Sequence, residues 1–352
     1  MLCCCLSVIA QEKKTYLSIQ EDQFYINGEL TYKGRHWEGN KIEGLLFNSR
    51  MVQGIFDDAN PETVGRFKYP DTGEWDASRN TDEFVDAMES WKEHGMLAFT
   101  LNLQGGSPMG YGNQGWRNSA FNEKGKLQNA YMKRLQKILN KADQLGMVVI
   151  LRYFYFGQDE YFENEAAIKK AAAAATEWIL RRGYYNVIVE VANECDNDGY
   201  QHDIIKADRI DELIRHIKGT SSAFRRHLYV GASFNGNSIP TANVVRDSDF
   251  ILIHGNGVSD PDRIAEMVEQ TRNVEGYRTM PVLFNEDDHY EFDQEKYNMK
   301  AAIESYASWG FFDFRRDGEE FNEGFQSVPV DWSISSDRKK DFFNKVKEVT
   351  GY

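Results

Sequence analysis

Val187-Ile188-Val189-Glu190-Val191-Ala192-Asn193-Glu194 is an apolar, β-branched run that stops at an Asn-Glu pair. Pro281-Val282-Leu283-Phe284-Asn285-Glu286 stops the same way, 92 positions later when counted from glutamate to glutamate. A short run this uniformly apolar reads as a parallel strand buried on both faces. A carboxylate at the end of such a strand is delivered to the C-terminal face of a barrel, where the connecting loops gather.

Six further segments share this character, giving eight strands over 44–49, 97–104, 147–156, 186–194, 228–234, 249–256, 281–286 and 310–315. Helical patterns alternate with them. Leu127, Tyr131, Leu135, Ile138, Leu139, Ala142 and Leu145 fall on one face of a helix closed by Gly146. Other helices are expected over 81–94 with Gly95 following, up to Arg182 with Gly183 following, and over 203–218 with Gly219 following. Asp260-Pro261 opens the next, Asp293 is the expected N-cap of a helix over 293–308, and the last covers 336–350. The crossover at 241–246 is barely a turn. Eight strand-helix units in alternation predict an α/β fold of the (β/α)8 TIM-barrel type. Before them, Tyr16 to Tyr32 alternates in hydrophobicity around Asn27-Gly28, which predicts an N-terminal β-hairpin covering the bottom of the barrel. Residues 16–352 are read as a single catalytic domain, with long loops at 50–80, 105–126 and 316–335 all leaving strand C-termini.

Of 352 residues, 41 are Lys or Arg and 55 are Asp or Glu, a net charge of −14 that repels a phosphate backbone and anionic lipid alike. Neither nucleic acid nor membrane insertion is expected. No Gly-x-Gly-x-x-Gly follows the first strand, and the glycine-rich stretch from Gln104 to Trp116 lacks the Gly-Lys-Ser/Thr ending of a phosphate loop. That stretch reads as a rim loop presenting Tyr111 and Trp116, either as a stacking platform or as a turn with core aromatics.

Cys3, Cys4 and Cys5 lie in a short apolar opening that ends at Ala10 and gives way to Gln11-Glu12-Lys13-Lys14. Residues 1–15 are read as a signal peptide with a truncated-looking start, so a secreted or periplasmic location is expected; a buried N-terminal segment is the alternative. After cleavage only Cys195 would remain, which leaves no internal disulfide. No cysteine pair has the spacing of a zinc site.

Glu194 and Glu286 end the fourth and seventh strands, so they face each other across the barrel mouth. Paired carboxylates are what cleavage of a glycosidic bond requires, one to protonate the leaving oxygen and one to attack or to activate water. The run Glu190-Val191-Ala192-Asn193-Glu194 resembles the Glu-x-x-Asn-Glu signature of clan A glycoside hydrolases, which include the family 5 cellulases and mannanases. That resemblance implies a retaining glycoside hydrolase acting on an oligo- or polysaccharide, with Glu194 as acid/base, Glu286 as nucleophile and Asn193 bonded to a sugar 2-hydroxyl. The chain departs from the pattern at Cys195, where proline is usual, and at Asn285, where glycine is usual, so no subfamily follows.

Other residues at strand ends suit sugar hydroxyls because they donate and accept: His254, Asn102, Gln104, Tyr153 and Asn235, with Arg50 placed to hold the nucleophile ionised. Glu190, two pleat periods before Glu194, is expected to be a buried structural group. No cofactor and no metal are expected, and the oligomeric state is left open. Two other functions fit parts of the pattern. A metal-dependent barrel hydrolase or isomerase could use Glu286, Asp287, Asp288 and His289 with Glu194, Asp196 and His254. A non-catalytic carbohydrate-binding barrel would keep the aromatics and need neither glutamate.

Overall fold

The computed structural model describes residues 14–111 and 115–352; the expected leader, up to residue 13, and the centre of the glycine-rich loop lie outside the described residues. Eight parallel strands are present where the apolar runs place them. They are β1 (Asn48–Ser49), β2 (Ala98–Asn102), β3 (Val148–Phe154), β4 (Val187–Ala192), β5 (Val230–Gly231), β6 (Ile251–His254), β7 (Val282–Glu286) and β8 (Gly310–Phe311). Continuous pairing joins β2 through β5, β6 to β7 and β8 to β1. The remaining seams are closed by bridges from Arg50 to Thr100 and from Leu283 to Ser308, and by Asp249 N–H donating to Val230 O at 2.9 Å. The result is a closed barrel. Every residue of β3, β4 and β7 is buried, as strands covered on both faces must be. Gly310 fits the tight seam where β8 passes β1 and β7, because a Cβ there would lie 2.3 Å from Asn48 Oδ1 and 2.8 Å from Phe284 O.

The helices follow in order: α1 (Ala77–Glu93), α2 (Asn129–Leu145), α3 (Glu165–Arg181), α4 (Ile210–Ala223), α5 (Ala242–Asp247), α6 (Pro261–Arg272), α7 (Asn298–Glu304) and α8 (Asp337–Thr350). Side-chain caps set several starts. Asp76 accepts from Ser78 N and Arg79 N, Asn164 from Ala167 N, Asp260 from Asp262 N, and Ser336 from Lys339 N. Each such cap satisfies an orphan amide, typically for about 1 kcal/mol. The apolar stripe of α2 is buried through Leu135, Ile138, Leu139 and Ala142, and Gly146 ends it in the left-handed region at φ 72°.

Three helix expectations are corrected. Asp203 opens only a single 3-10 turn (Asp203–Ile205) and α4 begins at Ile210, while Gly219 lies inside that helix rather than after it. Asp293 caps nothing, because α7 starts at Asn298 with Tyr297 in the cap position. Tyr290 and Phe292, just ahead of Asp293, pack on Phe311 and Trp309, and residues 292–296 run through turns and bends before the helix starts.

The N-terminal strands Leu17–Gln20, Gln23–Ile26 and Glu29–Leu30 form an antiparallel meander, one strand more than a hairpin. Asn27 (φ 54°) and Gly28 (φ 81°) make the expected two-residue turn. The meander closes the bottom of the barrel: Leu17 N donates to Tyr185 O ahead of β4, and Phe24 is fully buried. Lys14 and Thr15, the described part of the expected leader, are tied to Asp143 of α2 through their backbone amides. Among the described residues no helix is long and apolar enough to cross a membrane.

Candidate active site

Inward-facing positions are fixed by register. Asn102, Arg152 and Glu190 are aligned across β2, β3 and β4, so all three point into the barrel at one level. Arg152 Nε lies 2.9 Å from Glu190 Oε2, and its Nη2 reaches across to Glu286 Oε1 at 2.7 Å. Arg50, at the end of β1, places Nε 2.6 Å from the same Glu286 oxygen. The other Glu286 oxygen accepts from Asn256 Nδ2 at 3.2 Å.

A β-bulge makes this possible. The pairing of β6 with β7 shifts between Ile253 and His254, so that His254 stands opposite Glu286 and Asn285 is the extra residue. Asn285 and Glu286 therefore both turn inward, where strict alternation would send one outward. Asn285 Nδ2 donates to Glu190 Oε2 at 3.0 Å, directly beneath the Glu286 contacts. Glu190 is the structural carboxylate expected from its position, since Ser233 Oγ donates to its other oxygen.

Glu194 enters from the opposite side. It sits at φ 50°, in the left-handed region that costs a non-glycine residue about 1 kcal/mol or more. Its N–H donates to Ser233 Oγ at 2.9 Å, and its Oε1 lies 3.0 Å from His254 Nδ1. The same His254 nitrogen is 3.8 Å from Glu286 Oε2. Carboxylate oxygens of Glu194 and Glu286 come within 4.8 Å of each other.

The electrostatics differ sharply between groups. Burial alone would raise the Glu286 carboxyl, but Arg50, His254 and Arg152 outweigh it and hold this group far below the usual carboxylate range. For His254, burial opposes the charged form, yet the carboxylates of Glu286 and Glu194 raise its pKa above the ordinary histidine value. Burial pushes the Tyr155 phenol up to about 12, against the Arg50 charge.

Glu194, Glu286, Asn193, His254 and Arg50 are thus brought together. Asn193 is buried, its backbone carbonyl accepts from Tyr200 Oη, and its Oδ1 meets no donor among the described residues. Asn102 is buried beside Arg152, and neither of its amide atoms is hydrogen-bonded to any of the described residues. Asn235 is on the rim near Glu194, where its N–H donates to Asp196 Oδ1 at 2.7 Å and its Oδ1 accepts from Asn197 Nδ2 at 3.2 Å.

Two expected sugar contacts do not reach the mouth. Tyr153 is one residue out of phase with Arg152, so it faces the helix layer and bonds Thr176 of α3 at 3.1 Å. Tyr155, beyond the end of β3, returns to the mouth instead, 3.5 Å from Arg50 Nη2. Gln104 has its amide occupied by loop backbone, donating to Gln158 O at 3.1 Å and accepting from Tyr155 N at 3.3 Å. Trp116 is fully buried and is core, whereas Tyr111 is half exposed at the rim. Trp309, just ahead of β8, is buried and donates its indole N–H to Asp287 Oδ2 at 2.8 Å.

Arg152 was not anticipated, although a lone arginine inside Val148-Val149-Ile150-Leu151-Arg152-Tyr153-Phe154 is a visible signal: a buried cation needs a buried anion.

Of the residues expected as metal ligands, Glu194, His254 and Glu286 form one group and Asp287, Asp288 and His289 another, while Asp196 joins neither and accepts from Asn235 N. In the first, two guanidiniums already neutralise Glu286, leaving little charge to attract a divalent ion. In the second, Asp287 accepts from Asn298 Nδ2 and Trp309 Nε1, and Asp288 from Tyr111 Oη and Gly257 N. Their lone pairs are used by protein donors, which argues against the metal-dependent reading.

Solved structures share the fold. A β-1,4-D-mannanase from Cryptopygus antarcticus aligns with TM-score 0.59 and 11% identity over 96% of this chain and 95% of its own. A glycoside hydrolase family 5 protein from Bacteroides vulgatus aligns with TM-score 0.54 and 15% identity over 91% of this chain and 71% of its own. A proposed glycoside hydrolase from the same organism aligns at 0.55 and 11% over 95% of this chain, which spans 61% of that longer protein. No curated protein matches the chain. The family model for cellulase (glycosyl hydrolase family 5) matches residues 58–255, more than half of the sequence and including Glu194 and His254. By that match this O-glycosyl hydrolase belongs to glycosyl hydrolase family 5.

Proposed function

We propose that the chain is a retaining glycosidase in which Glu286 is the nucleophile and Glu194 the acid/base, acting on an oligo- or polysaccharide. The observation that carries this reading is the approach of the two carboxylates to within 4.8 Å, with Glu286 alone clamped by two guanidiniums. Retaining enzymes space their carboxyls at about 5–5.5 Å, whereas inversion needs about 6.5–9.5 Å to admit a water between them.

In the first step a Glu286 oxygen attacks C1 of the sugar, the bond from C1 to the leaving oxygen breaks, and that oxygen takes the proton from Glu194. In the second, water gives a proton to the Glu194 carboxylate while its oxygen attacks C1, and the bond to Glu286 breaks. Arg50 and Arg152 keep Glu286 ionised before attack and stabilise it as a leaving group afterwards. Once Glu286 is esterified its charge is gone, and only Glu194 remains to face His254, which favours the base role in the second step. Buried polar atoms with no hydrogen-bond partner among the described residues, Asn193 Oδ1, Asn256 Oδ1 and His254 Nε2, are supplied for sugar hydroxyls.

The test is the anomeric configuration of the first-formed product. Aryl glycosides of several sugars are incubated with the protein and followed by proton NMR before mutarotation. Product of the same configuration as the substrate is expected. Inverted product would reject the nucleophile assignment.

A further inference from the structure

Resting on the two-glutamate reading, the geometry points to a mouth that is walled immediately beyond the sugar to be released, so that this glycosidase removes single units from non-reducing chain ends. The wall is the segment from Ser107 to Tyr111, in the loop that follows β2.

Its anchors span the mouth. At one end Ser107 Oγ is 2.7 Å from Tyr155 Oη, beyond β3. At the other, Tyr111 Oη donates to Asp288 Oδ2 at 2.7 Å, beyond β7. Between them the backbone at Gly110 lies on the Phe314 ring, where a Cβ would be 3.0 Å from Cδ2. Val328 N donates to Pro108 O at 2.8 Å, so the long loop after β8 backs the same segment.

The wall also adjoins the reacting centre. Glu286 pairs with Arg50 at 2.6 Å, the Arg50 guanidinium lies 4.9 Å from the Phe312 ring centroid, and Phe312 packs edge-on against Tyr111 at 5.6 Å. Tyr111 then bonds Asp288, two residues after Glu286. This circuit links the nucleophile to the wall through a series of neighbouring side chains. Its second tie holds Asp288, whose other oxygen accepts from Gly257 N at 2.9 Å.

Chemistry fixes which side of the bond is blocked. The ring that forms the covalent intermediate lies over the nucleophile, while the departing part lies beside the acid that protonates it. The Glu286 side chain is 3% exposed and that of Glu194 is 13% exposed, so the mouth opens toward the acid. A chain can leave over Glu194, past Asn235, but a second sugar attached behind the first would meet Tyr111 and Phe312.

The experiment compares aryl monoglycosides with the matching aryl β-disaccharides across glucose, mannose, galactose and xylose, together with the viscosity of carboxymethylcellulose and glucomannan. For the sugar that is cleaved, the aryl monoglycoside should release its phenol directly. The aryl disaccharide should first yield free monosaccharide and aryl monoglycoside, and viscosity should hold while reducing ends appear. The double variant Tyr111→Ala/Asp288→Ala should gain release of intact disaccharide at least tenfold, while Tyr111→Phe, which keeps the ring, should not. Intact disaccharide as the first product of the wild-type protein, or a rapid fall in viscosity, overturns the wall and leaves the two-glutamate chemistry standing. Failure to cleave any member of the panel overturns that chemistry and the inference with it.

Discussion

Arg152 reaches across the barrel from β3 to β7 and sets Nη2 2.7 Å from Glu286, while its Nε stays 2.9 Å from Glu190. One fully buried cation thus serves two fully buried carboxylates. Replacing it leaves both without their shared partner, and breaking a buried pair in this way typically costs about 3–5 kcal/mol. Arg152→Met is expected to lower the urea midpoint by that measure and to cut kcat/KM by orders of magnitude. Arg152→Lys should recover part of the stability and less of the activity, because an ammonium cannot bond both carboxylates along fixed directions. A midpoint unchanged in Arg152→Met would show that the ion pair carries no net stability.

The proposed roles of Glu194 and Glu286 separate under rescue. Glu286→Ala should lose turnover of every substrate by about 10⁴-fold or more, and azide should return it with inverted product, since the small anion replaces the nucleophile from the same face. In Glu194→Ala, substrates with activated phenol leaving groups should keep much of their first step, and azide should give product of retained configuration. Identical azide products from the two variants would contradict the assignment.

How much of this site the sequence exposes depends on which physical rule governs each residue. The eight strands are legible because a strand covered on both faces must be apolar throughout. Glu194 and Glu286 are legible because a carboxylate cannot end such a run without a reason. Tyr153 and Gln104 mislead because a strand end fixes only where a residue lies. Pleat parity turns Tyr153 to the helix layer, and loop backbone occupies the amide of Gln104. The Tyr111 to Asp288 contact joins residues 177 positions apart across loops, which no local pattern encodes.

Opposite signs are expected at the two ends of the pH scale. Glu286 is depressed in the folded protein, so it contributes stability above its unfolded value of about 4.3, lost as pH falls from there toward the folded value. His254 is raised, so its contribution is full below about 6.5 and disappears as pH climbs through the folded value. Stability measured by urea unfolding should therefore decline on both flanks, with Glu286→Gln flattening the acid flank and His254→Asn the basic one. Unchanged slopes in these variants would assign the flanks to other groups.

His289, with ring Nδ1 3.4 Å from Asp287 Oδ1 and 3.0 Å from Asp288 Oδ1, is raised to about 10 by these two carboxylates and stays an imidazolium through the neutral range. Its stabilising contribution is present below about 6.5 and fades only as pH passes about 10. Side-chain carbon and proton shifts of His289, followed by NMR from pH 6 to 11, should show one late transition. His289→Gln should remove it and loosen Asp288, which would appear as faster amide exchange at Tyr111. A transition near the ordinary histidine value would mean that the two aspartates do not bond the ring in solution.

Asn285 tests whether the bulge, rather than glutamate alone, builds the site. Its amide donates to Glu190 beneath Glu286, at 3.0 Å, and as the extra residue of the bulge it shares the inward face with Glu286. Asn285→Ala keeps the bulge and removes only the donor. A stability loss of about 1–3 kcal/mol is expected, with retained product unchanged. Deleting Asn285 removes the bulge itself. Phe284, opposite Ile253, faces the helix layer, so in the unbroken ladder Glu286 follows it on the inward face and stays opposite His254. The deletion variant should therefore still form a covalent adduct with a fluorinated glycosyl inhibitor at Glu286, and should share the stability loss of Asn285→Ala because it too lacks the donor to Glu190. Asn285→Ala should still be labelled at Glu286. Loss of labelling in the deletion variant alone would show that the bulge itself sets the Glu286 carboxylate.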